Sequence, residues 1–402
     1  MGGRGEYEYN GGKAVNTQPY VGQGRRIDLD WLRIVLFLLL ILFHVGMFYV
    51  AWPWHVKSGH APVDWLRWPM LLMNPWRIPA LFIISGIALR FALDKANSHP
   101  AFMRRRFHRL ILPILFGMAV VCAPQAYFEL LEDGVDPGNL ASFYANYLMP
   151  PWASPDGWTT ITPTWNHLWY VVYVLLLSAC IVALSALLNG RLERALDIWV
   201  ERLSRMPVVF VATPMLVSFV ILYFFQNSVD AVQMVWGDWH RLANSLWLML
   251  FGFAIAKQAA AWSTLWQCRW GMLWLSVFLG AVLMLDVTQI IWTDPSQDAF
   301  YYITRNFYSW AVMLALFAFV QQLPRGSDAV RTYLSDAVFP YYVLHQTVII
   351  VVGVWLGQFD LGLTAEGLTL IAATVVITAL LYHVVIRNMG RAAVLLGGKN
   401  PS

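Results

Sequence analysis

Ten apolar runs follow one another along this chain, at roughly 30–50, 68–92, 107–128, 166–188, 207–225, 240–257, 270–291, 303–322, 334–357 and 364–386. Each is near the ~20 residues needed to cross a bilayer as a helix. Lipid offers no partner for unpaired backbone, and membrane strands would alternate polar and apolar residues, so runs of this length predict helices. The expected fold is an all-α polytopic membrane protein with about ten transmembrane helices. Composition agrees. Of 402 residues, 59% are hydrophobic and 12% charged, against about 25% charged in an average soluble domain. That leaves too little polar surface for a water-solvated globule. A cytosolic enzyme, a nucleic-acid binder and a disordered chain are thereby excluded as readings. Three widely spaced cysteines, Cys122, Cys180 and Cys268, give neither a disulfide framework nor zinc spacing.

The loops test the span count. Basic segments (Arg25 and Arg26; Lys95 with Arg104, Arg105, Arg106 and Arg109; Arg191, Arg194, Arg202 and Arg205; Lys257 and Arg269; Arg325 and Arg331; Arg387, Arg391 and Lys399) alternate with acidic or mixed ones. The latter include Glu129, Glu132, Asp133, Asp136 and Asp156, then Asp230 and Asp238, then Asp294 and Asp298, then Asp360 and Glu366. This alternation fits the positive-inside rule with both termini cytoplasmic. Residues 1–24 are Gly-rich and polar and are expected to be a disordered cytoplasmic tail. Residues 25–390 form the transmembrane domain, and 391–402 a short cytoplasmic tail. No cleavable signal is visible, and the first run is expected to remain as an anchor.

A few polar side chains interrupt these runs. Arg33 and His44 are eleven positions apart, which at 100° per residue is about 20° beyond three full turns, so both point the same way about 16 Å apart along the axis. Arg33 then sits near the inner interface and His44 near mid-membrane, where an ionisable group usually faces a cavity or partner. A neutral imidazole there can act as a general base; a histidine hydrogen-bonded between helices is the blander reading. In Asn74-Pro75-Trp76-Arg77-Ile78-Pro79, two prolines flank an arginine, which predicts a broken helix whose freed carbonyls could hold the guanidinium. Ser85-Gly86 suits close helix approach. Arg104, Arg105, Arg106 and Arg109 form a cluster suited to phosphate groups, or simply to setting topology. His167, His345 and His383 lie at or in helices and His55 in the first outer loop. No pair shows metal-ligand spacing, and no P-loop or serine nucleophile elbow is present.

Taken in order, these residues resemble the acyltransferase-3 family of integral membrane acyltransferases. Arg33 and His44 match its Arg-x10-His motif. Arg77-Ile78-Pro79 with Phe82 to Gly86 is similar to its Arg-x-Pro and Phe-x-x-Ser-Gly segment. Arg105, Arg106, Arg109 and Pro113 match its basic loop, His167-Leu168-Trp169 its fourth-span entry, and Tyr341 to His345 its late Tyr-x-x-x-His segment. Trp54-His55-Val56 resembles, over a few residues, the branch that succinylates periplasmic glucans. Where many relatives have Gly or Ala after the motif arginine this chain has Ile34, which leaves the sub-branch open.

The resemblance implies an enzyme of the bacterial inner membrane that moves an acetyl or succinyl group from cytoplasmic acyl-CoA to a hydroxyl of an extracytoplasmic glycan or glucan. Acyl-CoA is then a co-substrate, with no tightly bound cofactor, no metal and no nucleic-acid partner. Oligomeric state is left open. The expected catalytic residues are His44, Arg33 and Arg77. Arg104, Arg105, Arg106 and Arg109 would bind acyl-CoA, and Glu129, His167, Trp169 and His345 would serve the substrate side. A proton-coupled transporter using His44, Arg77 and His345 is the rival reading, disfavoured by the absence of inverted repeats and of acidic residues at mid-span other than Asp286. A structural subunit is the third.

Overall fold

A computed structural model describes residues 26–150, 155, 157–158, 161–225, 235, 237–287, 299–323 and 329–398. The expected disordered tail, 1–24, lies outside these residues, as do Asp156, Asp230, Asp294, Asp298, Arg325 and Lys399. The described residues are helical, with no strand among them.

The helices run in chain order as α1 (Ile27–Tyr49), α2 (Arg67–Asp94), α3 (His99–Phe116), α4 (Ala123–Glu132), α5 (Leu140–Tyr147), α6 (Trp169–Leu187), α7 (Arg191–Ser204), α8 (Pro207–Phe225), α9 (Trp239–Ile255), α10 (Ala259–Val287), α11 (Ala299–Phe319), α12 (Ala329–Leu356) and α13 (Leu363–Leu380). Among the described residues, nine helical segments are long and apolar enough to cross a membrane. The tenth expected span, 240–257, is α9, which has 17 residues and falls just short of that length. α3 and α4 make one span through a π-helical turn, Gly117–Val121. Such a turn exposes backbone carbonyls, and here Val121 O accepts from Thr347 Oγ1 and Met118 O from Tyr147 Oη. At the chain's end, Gly390–Leu396 forms a 3-10 helix packed on α3.

Two apolar cores hold the bundle. One joins α2, α6, α8, α9, α10 and α11, with Trp262 and Trp310 fully buried. The other joins α1, α3, α12 and α13. In the first, α2 and α9 cross at their glycines. A Cβ on Gly86 would lie 2.0 Å from Met249 O, and one on Gly252 would lie 2.1 Å from Ile83 O. Only hydrogen fits at that approach.

The prolines of α2 do not break it. The helix is continuous through Pro75 and Pro79, correcting the expected interruption. Pro79 lacks the N–H that Pro75 O would have accepted. The Ser309 hydroxyl on α11 donates to that carbonyl instead, at 2.7 Å. The neighbouring Leu72 O accepts from Trp76 Nε1 and Tyr308 Oη. The freed carbonyl is thus satisfied by another helix and does not hold Arg77.

Candidate active site

A cavity of about 1140 Å³ lies between the two cores. It is built from the second half of α1, the middle of α2, the first turn of α6, the end of α8, the first halves of α9 and α11 and the middle of α12. His44, Arg77, Glu129, His167 and Trp169 line it. His44 lies five residues before the end of α1, or about 8 Å along the axis. That is nearer one end of the helix.

His44 and Arg33 both meet α12, as their register predicts. His44 Nδ1 lies 2.9 Å from Nε2 of His345. Arg33 Nη2 donates to Ser335 O and Oγ, at 2.9 and 2.7 Å. The proton inventory of the histidine pair follows from its far end. His345 Nδ1 lies 2.7 Å from the Tyr342 carbonyl, which can only accept. In a neutral ring Nδ1 therefore carries the hydrogen and Nε2 does not. His44 Nδ1 must then donate to His345, which leaves the Nε2 lone pair of His44 without a partner among the described residues. Above it, Trp54 stacks with rings 13° from parallel and 6.4 Å apart. Trp54 belongs to a loop tied back by Lys57 Nζ, which donates to Met47 O and Val50 O, and by Ser58 Oγ, which donates to Glu366.

Arg77 is 2% exposed, and its guanidinium carbon lies 3.9 Å from the centre of the Phe43 ring. Its Nε and Nη1 have no partner. A buried guanidinium that makes no hydrogen bond is rare, and this one faces the cavity beside His44.

A second imidazole stands at the cavity mouth. His55 Nδ1 donates to Glu129 Oε2 at 2.6 Å, and His55 Nε2 accepts from Gln346 Nε2 at 3.0 Å. Gln346 also donates to Gln125 Oε1, which accepts from Asn166 Nδ2 as well. Gln125 Nε2 in turn reaches Thr347 and His167 Nδ1. His167 Nε2 donates to Val343 O, and the Tyr342 hydroxyl donates to His167 O. His167 is thus held on both ring nitrogens and braces α12 behind His345.

The four basic-loop arginines differ in burial. Arg104, Arg105 and Arg109 are exposed on α3, whereas Arg106 is partly buried. Arg106 and Arg33 both lie within electrostatic range of the Tyr170 hydroxyl, which bonds Ser85 Oγ and Leu81 O and lines the cavity. Tyr170 thus ties α6 to α2 on the cavity wall. Among the described residues no set of three His, Cys, Asp or Glu side chains is placed to hold a metal ion.

Several lining residues were not expected at the site, namely Trp54, His55, Gln346, Tyr170, Arg241 and Arg305, nor was Gln125, which is buried behind them. Gln125 and Gln346 were visible as amides inside apolar runs, a pattern that flags interhelical hydrogen bonds. Arg305 was visible as a cation at the acidic-loop end of its span, against the alternation of charge.

A family model described as an acyltransferase domain, of the acyltransferase-3 type, matches residues 26–383. The chain belongs to this acyltransferase family. Its match takes in every element that lines the cavity. Among curated proteins, glucans biosynthesis protein C of Salmonella schwarzengrund (strain CVM19633) is 25% identical over 175 residues, covering 42% of this chain and 41% of the relative. The protein of that name from Escherichia coli O6:K15:H31 (strain 536 / UPEC) is 25% identical over 177 residues, covering 42% of each. The chain thus spans about two fifths of the length of the curated relatives it matches. No solved structure matches.

Proposed function

We propose that this chain is a membrane-bound O-acyltransferase of the bacterial inner membrane, moving an acetyl or succinyl group from cytoplasmic acyl-CoA to a hydroxyl of an extracytoplasmic glucan or related glycan. The observation that carries the reading is the unengaged His44 Nε2 inside the cavity, with its tautomer set by His345 and the Tyr342 carbonyl. Family membership supports acyl transfer, and the name of the relatives supports a glucan acceptor.

In this reading the termini are cytoplasmic and the cavity opens outward. The pantetheine arm enters from the inner end, past Arg33, Arg106 and Tyr170, and presents its thioester near His44. Arg104, Arg105 and Arg109 meet the donor's phosphates. His44 Nε2 takes the proton of the acceptor hydroxyl, whose oxygen bonds to the thioester carbonyl carbon. The carbonyl oxygen gains negative charge, which the free N–H groups of Arg77 stabilise. The carbon–sulfur bond then breaks, and His44 returns the proton to the departing CoA sulfur. Trp169 and Glu129 lie on the acceptor side, and His167 holds the α12 backbone behind the pair. Transient acylation of His44 Nε2 uses the same geometry in two steps, and rapid acid quench of the enzyme with labelled donor separates the two routes.

The test is transfer of label from acetyl- or succinyl-CoA to a glucan in isolated membranes. Label in the glucan, lost with His44→Ala while the protein still inserts, supports the reading. Proton-coupled solute uptake with no acylated product would overturn it in favour of transport.

A further inference from the structure

Among the described residues, one wall of the cavity carries more basic than acidic lining side chains. The wall is made by α2, α9 and α11. On α11, Tyr302, Arg305, Asn306, Ser309, Trp310 and Met313 line the cavity, at the spacing of a single helical face. α9 adds His240, Arg241, Asn244 and Ser245, and α2 adds Asn74 and Arg77. Three guanidiniums therefore face one volume. Asp238, at the N-terminal cap of α9, lies 3.1 Å from Arg241 Nε. The other lining carboxylates, Glu129 at the end of α4 and Asp133 just after it, are at the mouth near α12, and Glu129 is taken by His55. Arg305 makes no hydrogen bond or ion pair with the described residues. Arg77, 2% exposed, has two unpartnered N–H groups. The two belong to one patch. Ser309, one turn along α11 from Arg305, bonds Pro75 O, two residues before Arg77.

Taking a guanidinium out of water without a counter-charge is costly. Arg77 is buried and Arg305 half-buried on this wall, and an occupant that brings negative charge to the cavity offsets that cost. Arg is also the side chain whose fork fits carboxylate and phosphate oxygens. We infer that the α2–α9–α11 wall is a subsite for an anionic group, carboxylate or phosphate, carried by the substrate and anchored by Arg305. The inference rests on the acyl-transfer reading for its setting. The anion can arrive on the transferred acyl group, as the free carboxylate of a dicarboxylic acid, or on the acceptor. Asn306 and Asn244 on the same wall suit the hydroxyls of either substrate.

The experiment uses the full chain in lipid nanodiscs and has three arms. The first compares transfer from succinyl-CoA with transfer from butyryl-CoA, which has the same chain length without the charge, to a neutral glucose oligomer. The second compares a neutral with a phosphorylated glucose oligomer, using acetyl-CoA. The expected result is a preference for the anionic substrate in one arm, of about tenfold to a hundredfold in kcat/KM, as charge-assisted hydrogen bonds usually give. Arg305→Gln should erase that ratio and Arg305→Lys should restore part of it. A preference in the first arm assigns the anion to the donor, and one in the second assigns it to the acceptor. Equal use of charged and neutral substrates in both arms overturns the inference while leaving acyl transfer standing, as does a ratio that survives Arg305→Gln.

The third arm needs no turnover. Calorimetric binding of monomethyl succinate and of methyl phosphate is measured against the uncharged dimethyl succinate. Saturable binding of an anion, lost with Arg305→Gln, supports the subsite even if no acyl transfer is found. No anion binding, or binding indifferent to Arg305, overturns it.

Discussion

His44 Nδ1 and His345 Nε2 lie 2.9 Å apart across α1 and α12, although 301 positions separate them in the chain. With His345 Nδ1 committed to the Tyr342 carbonyl, this contact sets which nitrogen of His44 is basic. Loss of a general base typically costs about 10²–10⁴ in rate. His44→Ala is expected to lower acyl transfer by that order. His345→Ala leaves the base in place without its orientation and should cost less, about tenfold to a hundredfold, in the manner of outer-shell partners of other reactive histidines. Because the two act as a unit, the double variant should be no slower than His44→Ala alone. Initial rates of label transfer for the three variants in matched membranes check this, and additive losses would show that the contact is not used.

Arg77 separates catalysis from stability. Its Nε and Nη1 have no hydrogen-bond partner among the described residues, so removing it strands no described partner and relieves a buried charge that those residues leave unpaired. Arg77→Leu should leave thermal unfolding in detergent near the wild-type value, within the ~1 kcal/mol attributable to the Phe43 ring contact. Acyl transfer should fall about 10²–10³-fold if the free N–H groups meet the developing oxyanion. Arg77→Lys should recover little, because an ammonium lacks the planar fork. A large fall in melting temperature with little kinetic effect would assign Arg77 to structure alone.

The α2–α9 crossing has no room for a side chain on either glycine. Gly86→Ala or Gly252→Ala places a methyl group about 2 Å from a backbone carbonyl oxygen of the facing helix, which does not swing away as a side chain would. The helices must separate, at a cost of about 1–3 kcal/mol or more. Both variants should show lower melting temperatures and a smaller monodisperse fraction on size exclusion. Gly271→Ala, where nothing lies within 4 Å, serves as the control with little change.

The loop that carries Trp54 gives a pH signature. Burial pulls the Lys57 ammonium down to about 8 from its ordinary 10.5, against the pull of Glu132. Between these values the unfolded chain binds the proton and the folded chain does not, so folding stability rises with pH across that window. Below about 8 both states are protonated and the full cost of burying the charge is felt. Wild type should therefore gain stability relative to Lys57→Met as pH is raised from 8 towards 10.5, and the gap should be flat between 6 and 7.5. Melting curves for the pair over that range measure it, and a gap that stays constant throughout would contradict the assignment.

What could be read from sequence divides along physical lines. Lipid forces long apolar helices, so the spans were legible from run length and scarce charge, down to α9 at its expected place. The Arg33–His44 register was legible because helical geometry is local. The continuity of α2 was not, because the donor that satisfies Pro75 O is Ser309, 234 residues away. α1 runs from Ile27 to Tyr49, which places His44 in its last turns. The pairing of His44 with His345, and of His55 with Glu129, is tertiary. Sequence marks those residues as polar in or beside apolar runs and stops there. Arg305 was the avoidable omission, since a cation at the acidic-loop end of a span already asks for an explanation.

The network at the cavity mouth yields the last expectation, through its hydrogen count. Glu129 accepts from His55 Nδ1, so His55 Nε2 must accept from Gln346, whose amide hydrogens then point to His55 and Gln125. Glu129→Gln puts an amide where the carboxylate was. If its N–H₂ turns to His55 Nδ1, the imidazole hydrogen moves to Nε2 and meets the Gln346 N–H₂ group. Gln346 must then flip, and Gln125 loses a donor. Gln346 directly follows His345 on α12, so the disturbance sits beside the His44–His345 pair. Glu129→Gln and Gln346→Leu should each lower transfer by about tenfold, as outer-shell substitutions do. His55→Phe removes both hydrogen bonds at once, so adding Glu129→Gln to it should change little, because coupled residues are not additive. Rates for the single and double variants test the chain of contacts, and independent effects of His55 and Glu129 would show that the two do not act through one another.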